Sequence, residues 1–230
     1  MADKNILDEG ISLYNKGNYT AALTFFLSLP EDSGVDSLEL SYYLGLCYAK
    51  LLRYDDAMIY LEQVVTGSKE DEKSSQRVLQ CRYLLAVIYC ISGRKKLADF
   101  ELKQLLELGY RKSAVYSSMA FVAWEQGNSA LSVEYYEKSL EENSENAGAL
   151  NGLAYVLACE DLELTKALSM CKKSIDITGE RAANLDTLGW IYYKMKFYKE
   201  SLEYLERASA LEPENAVIQQ HKKVLLSTSE

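Results

Sequence analysis

The chain holds one histidine, His221, and two prolines, Pro30 and Pro213, and it has no long hydrophobic run. With a single imidazole, the side chain most readily tuned for acid–base work near neutral pH is almost missing. His221 reads as a solvated or capping residue. No glycine-rich phosphate loop, GxSxG elbow, HExxH pair or acidic loop with calcium-ligand spacing occurs either. These absences imply no enzyme activity, no cofactor and no metal. The longest apolar run, Tyr83 to Ile91, is about half the ~20 residues that span a bilayer, so no membrane-spanning helix is expected. The opening MADKNILDEG lacks an apolar signal core, which makes the cytoplasm the expected compartment.

Positive charge is also short. Against 34 Asp and Glu stand 25 Lys and Arg, a net charge of -9, which repels phosphate backbones and anionic lipid. Neither nucleic acid nor a membrane is an expected partner. The five cysteines, Cys47, Cys81, Cys90, Cys159 and Cys171, are odd in number and have no CxxC spacing. They read as reduced, half-buried thiols.

What is present is a repeat. From residue 3 to residue 215 a pattern of about 34 residues recurs six times, with Gly10, Gly45, Ala86, Ala120, Ala154 and Gly189 at equivalent places. The last copy is the clearest. Leu185, Leu188, Gly189 and Tyr192 share one helical stripe, Ser201, Leu205 and Ala208 a second, and Pro213 follows. Gly17, Gly93 and Gly127 fall between the paired stripes, where a left-handed residue ends a helix. Each copy is therefore expected to be a helix–turn–helix hairpin, with the small residue where two axes cross at ~8–10 Å. The boundaries are 3–37, 38–78, 79–112, 113–146, 147–181 and 182–215. A lone hairpin cannot bury its own stripe, so the array needs stacking and a terminal cap. Residues 216–230, with Val217, Ile218, Val224 and Leu225, are expected to supply that cap.

This pattern closely resembles the tetratricopeptide repeat, W-x2-L-G-x2-Y, then A-x3-F, then P. The second copy reads Leu44-Gly45-x-x-Tyr48 with Ala57 and Leu61, and the third Leu85-Ala86-x-x-Tyr89 with Ala98 and Leu102. The fourth has Met119-Ala120-x-x-Ala123, Ser132 and Tyr136. The first keeps Gly10, Leu13, Ala22 and Phe26 but has Glu9 in the leucine place, and the fifth runs one residue long before Ala167 and Cys171. The resemblance implies an all-α, right-handed superhelical solenoid of six repeats plus a capping helix. It also implies a non-catalytic scaffold or adaptor that holds a peptide or helix of a partner protein in a concave groove. Two departures stand out: an insertion, Gly67 to Ser75, and a helix-breaking stretch, Leu29 to Gly34.

A helical wheel places a second set of residues a third of a turn from the core stripe, on the expected concave face. Tyr14, Tyr42, Tyr83, Phe121, Trp124, Tyr155, Trp190 and Tyr193 all belong to it, a density well above the 11% aromatic content of the chain. Such density implies a recognition surface for an apolar or aromatic-anchored segment, with Asn151 placed to bond its backbone. Lys4, Lys50 and Lys194 balance Glu39, Glu125 and Asp186 on this face. The subgroup of the family that grips chaperone carboxylates has Lys and Asn where this chain has Leu7 and Ile11, so that role is not expected. Three alternatives remain open. The chain could chaperone one client during assembly or secretion, or self-associate through its aromatics as a homo-oligomer, or turn several of these rings sideways into the packing between neighbouring first helices.

Overall fold

The computed structural model describes residues 6–30, 32–69 and 75–228. Among the described residues there are thirteen α-helices and no strand, an all-α helical-repeat fold. The chain divides into two compact units, Met1–Tyr110 and Arg111–Glu230.

In the first unit α1 (Asp8–Asn15) pairs with α2 (Tyr19–Leu27), α3 (Ser37–Lys50) with α4 (Tyr54–Gly67), and α5 (Gln76–Ile91) with α6 (Lys95–Glu107). In the second, α7 (Lys112–Glu125) pairs with α8 (Ser129–Glu142), α9 (Ala147–Cys159) with α10 (Leu164–Thr178), and α11 (Ala182–Lys194) with α12 (Tyr198–Leu211). The last helix, α13 (Ala216–Thr228), packs on α11 and α12. Within each unit the second helix of one hairpin meets the first helix of the next. The first helices of the second unit also touch one another, α7 with α9 and α9 with α11.

The turns explain why the hairpins repeat so evenly. In each, one residue takes a left-handed backbone: Gly17, Leu52, Gly93, Gly127, Asp161 and Lys196, with φ between 54° and 80°. The next residue's N–H then donates back to a carbonyl five positions earlier, as Arg94 does to Tyr89 at 2.8 Å and Phe197 to Tyr192 at 2.9 Å. That bond satisfies an orphan carbonyl at the helix end. Three of the six positions are not glycine, so Leu52, Asp161 and Lys196 hold a conformation that side chains disfavour. The shared bonding pattern, more than the glycine, defines the turn.

The small residues sit at the crossings. A Cβ added to Gly45 would lie 2.8 Å from Leu61 Cδ2, and one added to Gly189 would lie 2.7 Å from Leu205 Cγ and 3.2 Å from the Leu205 backbone nitrogen. Ala86, Ala120 and Ala154 are fully buried at the same register. The side chains that fill these crossings, Phe26, Leu61, Leu102, Cys171 and Leu205, are at most 1% exposed. At that density an extra methylene has no room.

Both departures lie in connections. Helix α2 stops at Leu27, before Pro30, and is nine residues long where its counterparts run thirteen to fifteen. Helix α4 continues through Gly67, and α5 begins after Ser75, whose hydroxyl accepts from the Val78 N–H. Residues 70–74 of the insertion lie outside the described residues, as do Lys4 and the tail's last two positions. In α13, Ile218 packs with Ala182, Leu185 and Ala208, and Leu225 is equally buried. Val217 instead stays half exposed.

Candidate functional site

The second unit contains an open cleft of about 400 Å³ bordered by α7, α9, α11 and the start of α13. Helix α7 contributes Phe121 and Trp124, α9 contributes Asn151 and Tyr155, and α11 contributes Asp186. Spacings of three and four residues put such side chains on one helix face, which is why a single register along three first helices converges here. Five candidate site residues, and Glu125 from the same expected face, are thus brought together.

Two glycines of α9, Gly148 and Gly152, border the same space. A Cβ on Gly152 would collide with the Tyr136 ring. Its absence lets Tyr136, from α8, pass beside α9 to the wall of the cleft. The Trp124 and Tyr155 rings lie 5.8 Å apart at 80°, edge to face. Phe121 is the most open ring, 42% exposed. The Asn151 Oδ1 lies 3.7 Å from the Cys171 thiol. Charge at the lining comes from Glu125 and Asp186, with no Lys or Arg among the bordering residues. Burial, then Cys159, then these two carboxylates push the Tyr155 phenol well above its ordinary value.

Three more residues of the expected set lie together on α11, and two of them, Trp190 and Tyr193, meet the cap. The Trp190 ring stacks on His221, with centroids 4.2 Å apart, and on Tyr193 at 4.9 Å. Tyr193 Oη is 3.2 Å from Thr228 Oγ1. The Lys194 ammonium donates to Asp161 at 2.8 Å and lies 5.5 Å from the Trp190 ring centre. Trp190 and Tyr193 thus meet α13, while Lys194 holds Asp161 and lies over Trp190.

His221 corrects the sequence reading. It is 6% exposed, not solvated, and its Nδ1 lies 2.9 and 3.0 Å from the two Asp186 carboxylate oxygens. One ring nitrogen thus meets both oxygens of the carboxylate. Asp186 itself is 5% exposed. The reason is that α13 lies over α11, which takes the imidazole out of water and sets it against Trp190 and, at 5.9 Å, Tyr155.

In the first unit the expected groove rings meet neighbours. Tyr14 lies 5.3 Å from Tyr19 and Tyr83 lies 6.3 Å from Tyr110. Tyr42 donates to Gln80 Oε1 at 2.8 Å beneath the Arg77 guanidinium. Here the rings pack between helices.

The register of the repeats did not reveal Tyr136, Gly152, or the wall made by Asn215, Val217 and Ile218. Tyr136 belongs to the core position of a second helix, and α13 lies outside the repeat. One signal was available: Asn215 stands just before the apolar run, and its Oδ1 accepts from the Val217 N–H at 3.1 Å, which starts α13 here.

Among the described residues no group of three or more His, Cys, Asp or Glu could hold a metal ion, and no helix is long and apolar enough to cross a membrane.

Family models of the tetratricopeptide repeat match residues 7–72, 119–179 and 182–215. Together they cover well over half of the chain, which belongs to the tetratricopeptide repeat family. Proteins of this family are generally non-catalytic scaffolds for protein–protein interaction. No curated protein matches the chain. Solved structures of similar fold include a tetratricopeptide repeat protein from Parabacteroides merdae, 14% identical with a TM-score of 0.72, over 96% of this chain and 83% of that one. PilF of Pseudomonas aeruginosa is 16% identical, with a TM-score of 0.69 and 95% of each chain covered. YrrB, a tetratricopeptide protein with an unusual peptide-binding site, is 18% identical, with a TM-score of 0.52 over 89% of this chain and 97% of its own. At these identities the likeness is one of fold.

Proposed function

We propose that this protein is a non-catalytic adaptor that holds a segment of a partner protein in the cleft of its second unit. The observation that carries this reading is the convergence of Phe121 and Trp124 from α7 and Tyr155 from α9 around one open space. Aromatic rings at a concave surface give large contact area for little lost side-chain entropy, and they dominate the energy of such interfaces. Asn151 stands on the same wall and supplies an amide to the segment's backbone. The array of residues 3–215, closed by residues 216–230, is the scaffold that fixes these rings. Trp190 and Tyr193 support the site by holding α13, which forms one side of it, and Lys194 lies over Trp190. Five free cysteines fit a reducing compartment, and the cytoplasm is the proposed location.

The test is selection of a phage-displayed library of random 12-residue peptides on the full chain, with Phe121→Ala and Trp124→Ala as counter-selections. The expected result is a family of peptides that binds the wild type and loses at least about tenfold in affinity on either variant, in line with the loss of an interface anchor. Circular dichroism confirms that each variant is folded. Enrichment that is equal on all three proteins contradicts the proposal.

A further inference from the structure

A second space, of about 260 Å³, adjoins the cleft where α9 and α11 begin and α10 ends. Gly148, Asn151 and Ala183 border both spaces. Among the described residues no ring lines the second one, and Arg181, in the α10–α11 connection, is its one charged residue. Three of its side chains are bonded to the protein itself. The Ser174 hydroxyl donates to the Ala147 carbonyl at 2.9 Å, that of Thr178 to the Ser174 carbonyl at 3.0 Å, and the Asn184 amide to the Gly179 carbonyl at 2.9 Å. The adjacent acid, Glu180, is taken by Arg207. Among the described residues the Arg181 guanidinium therefore has no carboxylate partner, and the Asn151 Nδ2 has no acceptor. Both of these free groups are donors.

We infer that this second space seats an acidic side chain, aspartate or glutamate, of the same partner segment whose apolar or aromatic residue lies in the cleft. The inference rests on the cleft being the binding site, and it adds a second recognised residue at a set distance. An ionised carboxylate only accepts hydrogen bonds, and the planar guanidinium of Arg181 can donate to both of its oxygens. The residues of α9 and α11 that line the two spaces are offset by about one helical turn, ~5 Å along the axis. An extended segment rises ~3.3 Å per residue and turns every second side chain to the same face. Laid along α9, it places the acid two residues from the ring-bound anchor. The net charge of -9 on the chain attracts basic ligands at long range. An acid held at a fixed place thus reports a local contact.

The same 12-residue library tests it, selected on the wild type and sequenced, with the enriched peptides then titrated against Trp124→Ala and Arg181→Gln. Arg181 is exposed, and it joins the start of α11 through its backbone N–H, which donates to Asn184 Oδ1 at 2.8 Å and is kept in the variant. Circular dichroism confirms that the fold is kept. Support is an aspartate or glutamate fixed two positions from an apolar or aromatic residue, with affinity falling about three- to tenfold on Arg181→Gln, as loss of a hydrogen-bonded ion pair requires. Changing that acid to its amide should cost the wild type the same factor and cost Arg181→Gln nothing further, the mark of a direct pair. Equal loss on both proteins, no acid at that spacing, or a lysine or arginine in its place overturns the acidic subsite, while Trp124 dependence leaves the cleft as the binding site. Absence of any Trp124-dependent peptide overturns both readings.

Discussion

His221 and Asp186 are 35 residues apart in sequence, yet the imidazole Nδ1 sits 2.9 Å from one carboxylate oxygen and 3.0 Å from the other, with both side chains buried. The contact ties the capping helix to the first helix of the last hairpin. Removing either partner strands the other in a site with little water. His221→Ala and Asp186→Ala are each expected to lower stability by about 2–4 kcal/mol. The double variant should cost clearly less than the sum, because the second change removes the stranded group. Urea melts of the four proteins measure this, and additive losses would mean the two side chains do not act as a pair.

Removal of residues 215–230 exposes Leu185, Ala182 and Ala208 together with the Asp186 carboxylate. A terminal hairpin without its cap presents an apolar face to water. The truncated chain is expected to elute as aggregate or higher oligomer in size-exclusion chromatography. A monomer with an unchanged melting curve would show that α13 is not a cap.

The crossings predict strict size limits. Gly189→Leu drives a side chain into Leu205 and its backbone nitrogen, and the expected loss is about 1–3 kcal/mol or more. Gly152→Ala meets the Tyr136 ring, which is 6% exposed and has little freedom to withdraw. It should both destabilise the protein and distort the cleft. An unchanged thermal midpoint in either variant would contradict the packing described at that crossing.

Stability should fall in alkali. Burial raises the Cys81 and Cys171 thiols from 9.0 to about 12, and those of Cys47 and Cys90 to about 11. A raised folded-state value means the native protein keeps protons that the unfolded chain releases. The stabilisation is therefore full below about pH 9 and is lost as pH rises through the folded values. Buried tyrosines act in the same direction, with Tyr136 pushed up to about 12 by burial. Thermal midpoints at pH 8 and pH 10.5 should show a clear drop. At pH 8 native thiols should also react far more slowly with a disulfide reagent than those of the unfolded chain. A flat or rising midpoint would contradict the burial of these groups.

The hairpins were legible in the sequence because their determinants are local. Gly45 and Gly189 mark crossings whose spacing no accident reproduces, and Gly17, Gly93 and Gly127 mark turns. Leu52, Asp161 and Lys196 do the same work without glycine and announce nothing. The groove was half legible. A helical wheel ranks Trp124 and Trp190 alike, since both occupy the same face of a first helix. Their different surroundings come from α13, which stacks His221 on Trp190 and leaves Trp124 beside the cleft. Where a non-repeating element packs is decided by long-range contacts that no repeat register contains. The Asp186–His221 pair escaped the sequence for the same reason: each residue taken alone looks like a surface polar group.

The central claim, that a partner segment lies in the cleft of the second unit, is tested most directly by site-specific photo-crosslinking. A benzophenone amino acid placed at Val217, half exposed on the rim, reports on the cleft, and one at Glu203, on the outer helix α12, reports on the opposite possibility. With a peptide from the wild-type selection, the account predicts a crosslink from position 217 that excess unlabelled peptide and the Trp124→Ala change both abolish, and none from position 203. Equal crosslinking from both positions, or a crosslink from 203 alone, would contradict it.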